Sequence, residues 1–124
     1  MNVVDSSAWL EYFAGGPNSG FFAAAIEDQK RLIVPSICLY EVFNLILRQS
    51  GKKEALEKVA AMRQGKVADL TSSLALLAAS LSLKHKLAMA DSIVLATAQV
   101  HRALVWTQDS DFRTLPSVKF RPKR

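Results

Sequence analysis

The sequence predicts an α/β fold built on a parallel sheet, and three features of the chain indicate it. Short apolar runs of strand length recur along the 124 residues. Longer stretches with apolar residues at helical spacing stand between them. The two kinds of segment alternate, as they do where a crossover helix joins parallel strands. Half of the residues are hydrophobic, so one core can form and we expect a single domain over residues 1–124.

The chain opens with a short strand followed by a helix. Residues 2–4 are apolar enough for a strand that is cut short by the start of the chain. Ser6 or Ser7 can cap a helix over residues 7–14, because a serine hydroxyl satisfies a free N–H of the first turn. The Gly-Gly-Pro run at 15–17 is expected to end that helix.

A second strand and a long helix come next. Phenylalanines and alanines at helical spacing predict a helix over residues 18–29. The apolar run 31–34 reads as a buried strand that Pro35 ends. Ser36 can cap the following helix, which should run to residue 50 because Gly51 then stops it.

The middle of the chain has an amphipathic helix, a weak strand and another helix. Charged and apolar residues alternate at helical spacing over 52–63. The strand predicted over 67–70 is weak because only Val67 is β-branched, and it includes Asp69. Thr71 can cap a helix rich in leucine and alanine that extends to about residue 84.

The last third completes the alternation. A helix is predicted over 90–102, followed directly by the strand 103–107. A polar turn covers 108–113 and a final strand covers 118–120. A basic tail of four residues follows.

Three features predict a cytoplasmic protein with no membrane contact. Cys38 is the only cysteine, so no internal disulfide can form, and it is expected to be a small buried hydrophobe. No apolar run reaches the ~18 residues that a membrane span needs. The N-terminus is a strand followed by an acid, which is unlike a basic signal peptide.

The acidic residues are placed by the topology. Asp5 and Asp109 each follow a predicted strand, and Asp111 comes close behind. Glu41 lies in the second turn of the helix after the second strand, and Asp91 opens the helix that leads into the fourth. Crossovers between parallel strands are right-handed, so strands end and the following helices begin at the same edge of the sheet. We therefore expect these acids to converge at that edge. Taken singly, each also fits a structural role at a helix start or in a turn.

Converging carboxylates repel one another unless a cation lies among them. All-oxygen ligands suit Mg²⁺ or Mn²⁺, and such an ion favours phosphodiester hydrolysis. Other chemistries fit worse, because His85 and His101 lie in separate helices without ligand spacing. There is also no glycine-rich phosphate loop, and no serine has an evident histidine partner.

The chain resembles the PIN-domain ribonucleases and, within them, the VapC-type toxins of toxin–antitoxin pairs. The resemblance covers nearly the whole chain and depends on four segments in the same order. These are Val3–Trp9, Val34–Ser36 with Glu41 five residues later, Ala90–Ala98, and Thr107–Phe112.

The resemblance implies a three-layer α/β/α fold with strand order 3-2-1-4-5. It also implies that Mg²⁺ (or Mn²⁺) is coordinated by catalytic acids, with polar residues that orient the acids or a water. Asp111 matches a more variable position and is a candidate for supporting these ligands or for binding a second ion. The implied acids are Asp5, Glu41, Asp91 and Asp109, and the implied polar residues are Ser6 and Thr107. Asn44 lies one helical turn after Glu41 and is predicted to hydrogen-bond to it.

The charge of the chain suits a polyanionic substrate such as RNA. The net charge is +5, and without the five acids the remaining 16 basic and six acidic residues carry +10. A soluble basic protein with no such substrate would have the same balance. The predicted RNA-binding residues are Arg113, Lys119, Arg121, Lys123 and Arg124, with Arg48, Lys52, Lys53 and Arg63 as further candidates.

Two protein partners are expected. Helices 36–50 and 52–63 carry more apolar residues than one inward stripe needs, so Leu45, Leu47 and Met62 are candidates for a homodimer interface, or for a thick core. The resemblance also implies a cognate VapB-type antitoxin that covers the acidic site and an adjacent apolar groove. Trp9, Leu10 and Phe13 could line that groove or pack in the core.

Two alternatives remain open from the sequence. A receiver domain for phosphotransfer also combines a small α/β sheet with an acidic Mg²⁺ pocket, but it needs paired acids near the first strand and an acid after the third. This chain has Asp69 inside the predicted third strand and no such pair at residues 4–6. The other alternative is a non-catalytic module that keeps the PIN fold and binds nucleic acid or protein.

Overall fold

The computed structural model describes all residues from 1 to 124 and contains a sheet of five strands. The strands are β1 (Asn2–Val4), β2 (Leu32–Pro35), β3 (Lys66–Ala68), β4 (Leu104–Thr107) and β5 (Val118–Phe120). All neighbouring strands are parallel, and their order is β3-β2-β1-β4-β5. Together with the helices that pack on the sheet, this order confirms the predicted three-layer α/β fold.

Six helices connect the strands. They are α1 (Ser6–Ala14), α2 (Ser19–Ile26), α3 (Ser36–Ser50), α4 (Lys52–Met62), α5 (Ser72–His85) and α6 (Met89–Val100). Two short 3₁₀ turns cover Gln29–Arg31 and Ser110–Phe112. None of the helices has both the length and the apolar character that crossing a bilayer requires.

The central strand β1 fixes where a site can form. Val3 pairs with Ile33 of β2 on one side and with Val105 of β4 on the other. The strand order reverses between β1 and β4, because the chain first builds outward through β2 and β3 and then returns to the other side of β1. In open α/β sheets a crevice forms at such a reversal, at the carboxyl ends of the strands.

The core contains 27 buried hydrophobic residues. Helix α6 packs on β1, β2 and β4, and α5 packs on α6, while α2 lies against β1 and α1. Trp9, Phe22 and Phe112 are the largest side chains in the core, and each is at most 1% exposed. The helix that carries Asp91 is thus held rigidly against the three strands beside the crevice.

The predicted capping residues of two helices are wrong. Asp5 and Pro35 occupy the N-cap positions of α1 and α3, so neither Ser6, Ser7 nor Ser36 caps a helix. The hydroxyl groups of Ser6 and Ser7 instead bond to acids. The cap at Thr71 is confirmed, because its Oγ1 accepts a hydrogen bond from the N–H of Leu74 at 3.2 Å.

Strand and helix ends also differ from the predictions. Pro35 belongs to β2 as its last residue, whereas the prediction ended the strand at residue 34. It pairs with Ala68 of β3. The second helix ends at Ile26, and a 3₁₀ turn replaces its predicted last turn. Asp69 lies just beyond β3 and is exposed. The strand order excludes the receiver domain, whose sheet runs 2-1-3-4-5.

Candidate metal centre

Asp5 lies at the end of the central strand and is almost completely buried. Its side chain is 3% exposed, and its N–H donates to the carbonyl of Trp106, which continues the pairing of β1 with β4. The Oδ2 atom accepts hydrogen bonds from Ser7 Oγ and from Thr107 Oγ1, both at 2.9 Å. Because both donors reach the same oxygen, Oδ1 is left for a ligand.

Thr107 joins the acids of two strands. It is fully buried, and its Oγ1 accepts the N–H of Asp109 at 2.9 Å while donating to Asp5. Its hydroxyl has a single proton, so that proton goes to the carboxylate and the lone pairs face the Asp109 amide. Thr107 therefore links the carboxylate of Asp5 to the turn after β4, in addition to the backbone pairing of the two strands.

We expect Thr107→Val to destabilise the protein by about 2 kcal/mol, because the valine removes the fully buried hydroxyl that donates to Asp5 and accepts the half-buried Asp109 amide. The RNA cleavage that the resemblance leads us to expect should fall as well, since Asp5 and Asp109 lose their link. Chemical denaturation and a cleavage assay measure the two effects.

Thr97→Val is the matched control for Thr107→Val. Thr97 is also fully buried, but its hydroxyl donates to the Ile93 carbonyl within α6 and touches no acid. We expect a smaller loss of stability and no loss of cleavage. Equal effects of the two substitutions on cleavage would contradict the role of Thr107.

Three aspartates form the tightest acidic group. One carboxylate oxygen from each of Asp91, Asp109 and Asp111 lies within 4.8 Å of the other two. Asp91 is in the first turn of α6, while Asp109 Oδ1 accepts the N–H of Asp111 at 2.9 Å and so orders the turn after β4. Oxygens that share a Mg²⁺ ion lie at most about 4.2 Å apart, so the three are close to the spacing of a common coordination shell.

Glu41 reaches the same region from α3 and is held by Ser6. Ser6 Oγ donates a short hydrogen bond to Glu41 Oε1. The predicted hydrogen bond between Asn44 and Glu41 is absent, although both residues line the same cleft. Glu41 and Asp5 lie outside the tightest group. That group consists of the predicted Asp91 and Asp109 together with Asp111.

The five acids act on one another electrostatically. The pKa of Asp91 is raised to about 7, first by burial and then by the charges of Asp5, Asp109, Glu41 and Asp111, in that order. Burial also raises the pKa of Asp5, against the hydrogen bonds from Ser7 and Thr107. All four other carboxylates therefore affect Asp91, which makes it the centre of the acidic cluster formed by these five residues.

No basic side chain neutralises the acidic cluster. The chain has 16 Lys and Arg residues, yet its one ion pair joins Arg31 to Asp28 on the surface. Buried carboxylates without a partner are costly unless a cation is bound. An all-oxygen set of this kind fits a hard divalent ion such as Mg²⁺ or Mn²⁺. His85, His101 and Cys38 take no part in the cluster.

A cleft of about 670 Å³ opens beside the cluster. Its polar wall includes Ser6, Ser7, Glu41 and Gln108, its apolar wall includes Leu10 and Leu45, and its basic rim consists of Arg48, Lys123 and Arg124. A smaller cleft contains Asp109 and shares Ser7, Gln108 and Lys123 with the first. The two clefts are therefore adjacent, and Lys123 is the basic residue that borders both.

The predicted basic residues fall into three sets. Lys123 and Arg124 line the large cleft, as does Arg48. Arg121 lies instead over the ring of Phe21, with its guanidinium carbon 4.3 Å from the ring centroid. The others are exposed and line neither cleft; these are Arg113, Lys119, Lys52, Lys53 and Arg63.

For Trp9 and Met62, which the sequence left open between an interface and the core, the structure shows the core. Trp9 is 1% exposed and Met62 is fully buried, so neither can line a groove or face another subunit. Leu10 and Phe13 do line an apolar groove, together with Leu45 and Ile46. This groove continues from the large cleft, because Leu10 and Leu45 border both. Leu47 is 40% exposed.

Three polar residues near the cluster were not predicted as site residues from the sequence. Ser7 donates to Asp5, whereas the sequence predicted only that Ser6 or Ser7 caps a helix. Gln108 and Asn18 are both buried and hydrogen-bonded to each other at 3.1 Å. No local pattern could have identified Asn18, because its two side-chain partners lie 90 and 104 residues away.

Comparisons with known proteins agree with this fold. The chain is similar to a protein from a toxin–antitoxin complex of Klebsiella pneumoniae, with 21% identity over 96% of both chains and a TM-score of 0.81. It is also similar to VapC20 of Mycobacterium tuberculosis, described as a sarcin–ricin loop cleaving toxin, with 21% identity over 98% of this chain and 100% of the other and a TM-score of 0.79. A third is DNA-bound VapBC of Salmonella typhimurium, with 15% identity over 98% and 97% and a TM-score of 0.73.

At these identities the solved structures establish the fold alone. No curated protein sequence matches the chain significantly. The PIN domain family model matches residues 3–117, from the second residue of β1 to the residue before β5, and this span contains all five acids. The chain therefore belongs to the PIN domain family.

Proposed function

We propose that the protein is a Mg²⁺-dependent endoribonuclease that hydrolyses phosphodiester bonds of RNA. The observation that carries this proposal is the unneutralised acidic cluster at the carboxyl ends of β1 and β4, centred on Asp91. The basic rim of the adjacent cleft supports a polyanionic substrate. The description of VapC20, a protein of the same fold, as a cleaving toxin supports it further.

The acids have separate tasks in this proposal. Asp91, Asp109 and Asp111 present the closest oxygens for the ion. Asp5 has Oδ2 held by two hydroxyls, which leaves Oδ1 as its further ligand atom. Bound Mg²⁺ would polarise the scissile phosphate and lower the pKa of a water. Glu41, oriented by Ser6, completes the ligand set or orients the attacking water.

Attack by water in line with the 3′ oxygen leaves 5′-phosphate and 3′-hydroxyl ends. No histidine is near the cluster to activate the 2′-hydroxyl of the substrate itself. We expect cleavage of total RNA in Mg²⁺ to stop in EDTA, and cloned product ends to carry 5′-phosphate. Cyclic 2′,3′-phosphate ends would contradict the mechanism. RNA that is bound but never cut in Mg²⁺ or Mn²⁺ would favour the non-catalytic binding module.

We further propose that the protein acts in the cytoplasm as the toxin of a toxin–antitoxin pair. Its partner would be a VapB-type antitoxin that covers the acidic cluster and the groove of Leu10, Phe13 and Leu45. Similar chains were solved in toxin–antitoxin complexes, which supports this assignment.

A homodimer is proposed as well, with the exposed Leu47 and Leu56 of α3 and α4 as interface candidates. Sedimentation equilibrium of the wild type and of Leu47→Glu tests it.

A further inference from the structure

A buried amide links the C-terminal segment to the acidic cluster. Asn18 occupies the N-cap position of α2 and is 1% exposed, yet its side chain does not cap the helix. Its Nδ2 donates instead to the carbonyl of Pro122 at 2.9 Å and to Gln108 Oε1 at 3.1 Å. One side chain therefore joins the loop before α2, the turn after β4 and the residues after β5.

Two backbone carbonyls fix the direction of this link. The Pro122 carbonyl can only accept, so the amino group of Asn18 must face it. Gln108 then presents Oε1 to Asn18 and Nε2 to the carbonyl of Ser7, at 3.5 Å. Gln108 stands between Thr107 and Asp109, so the link ends beside the residues that hold the cluster together.

The C-terminal segment is held at three points. The N–H of Arg121 donates to the Thr107 carbonyl at 3.1 Å, its guanidinium lies over Phe21, and the carbonyl of Pro122 is bound by Asn18. Lys123 and Arg124 follow directly, are exposed, form no ion pair and line the cleft. Chain ends without such contacts are disordered in most domains.

We propose that Asn18 is a positioning residue that holds Lys123 and Arg124 at the cleft, where they bind the phosphates beside the scissile bond. This inference rests on the proposed ribonuclease function. A positioned pair of cations loses less conformational freedom on binding than a free tail would. Asn18 itself touches neither the acids nor the substrate, so its effect on cleavage passes through the tail.

The test compares Asn18→Ala, the tail variant Lys123→Ala/Arg124→Ala, and the three substitutions combined. Asn18→Ala should raise KM severalfold and change kcat by less than about twofold, because binding weakens while the acids keep their geometry. The slope of log Kd for RNA against log salt should decrease by about 1.4 in the tail variant, since each lost contact with a single strand removes about 0.7. Gln29→Ala, an exposed amide in a 3₁₀ turn, is the control.

The combined variant separates positioning from a general loss of stability. If Asn18 acts through the tail, Asn18→Ala has no further effect on KM once Lys123 and Arg124 are gone. Amide exchange at Arg121 should also become faster in Asn18→Ala. Additive effects on KM, or unchanged exchange at Arg121, would overturn the proposal.

The ribonuclease proposal can fail separately. Each variant is also titrated with fluorescent RNA in EDTA, where no cleavage is expected. Binding that depends on Asn18 and the tail, without cleavage in Mg²⁺, would refute the ribonuclease function and keep the positioning role. Normal cleavage and binding by both the Asn18 and the tail variants would refute the positioning role alone.

Discussion

Asp91→Asn should abolish RNA cleavage and at the same time stabilise the metal-free protein. Asparagine keeps the shape of the side chain but removes the charge that all four other acids repel. A metal ligand that is lost costs several kcal/mol of transition-state stabilisation, which is a rate decrease of about 10³. In EDTA at pH 8 the variant should unfold at a higher temperature than the wild type, because the repulsion in the acidic cluster is relieved.

Single-turnover cleavage of a labelled RNA and thermal unfolding in EDTA measure the two effects. Asp69→Asn is the control, since Asp69 is an exposed acid just beyond β3 and belongs to no acidic group. That variant should match the wild type in both assays. Cleavage by Asp91→Asn at the wild-type rate would refute the enzymatic proposal, and a destabilised variant would contradict the electrostatic account of the cluster.

The convergence of the acids was predictable because it follows from topology. Asp5 and Asp109 come directly after parallel strands, and the right-handed crossovers put the start of α6, with Asp91, at the same edge. None of this needs knowledge of side-chain packing. It needs only the alternation of strand and helix, which the apolar spacing indicates. The membership of Asp111 in the tightest group depends on a single hydrogen bond in a turn, which spacing does not reveal.

The orientation of helical side chains was less predictable. A helix with two apolar stripes can bury either of them, and periodicity does not distinguish a core from a subunit interface. Met62 of α4 is fully buried, while Leu56 on the same helix is 51% exposed. The hydroxyls of Ser6 and Ser7 have a similar ambiguity, because a serine after a strand serves equally well as a helix cap or as a donor to an acid.

The metal-free protein should lose stability as the pH rises from about 4 to 7. Asp91 has a folded-state pKa of about 7 against an ordinary value of 3.8, so the folded state retains a proton that the unfolded state releases. Stability from this group is complete below the lower pKa and is lost as the pH passes the higher one. The pKa of Asp5 is raised too, which acts in the same direction.

The size of this effect is limited by solvent, since Asp91 is only half-buried. The pKa change alone corresponds to about 4 kcal/mol, and we expect about 2 kcal/mol or less after screening. About 60% of this is lost between pH 5 and pH 8, because the unfolded carboxyl group is already mostly ionised at pH 5. The unfolding temperature in EDTA should thus be lower at pH 8 than at pH 5 by up to about 5 °C. In Asp91→Asn most of this difference should disappear.

Added Mg²⁺ should reverse the trend, because the ion binds the deprotonated cluster and competes with protons for it. We expect Mg²⁺ to raise the unfolding temperature strongly at pH 8 and weakly at pH 5. Calorimetry at pH 7 in buffers of different ionisation enthalpy independently measures the number of protons that the protein releases when Mg²⁺ binds. A metal-free protein that is more stable at pH 8 than at pH 5, or a Mg²⁺ effect that is equal at both, would mean that Asp91 does not carry the raised pKa on which this prediction depends.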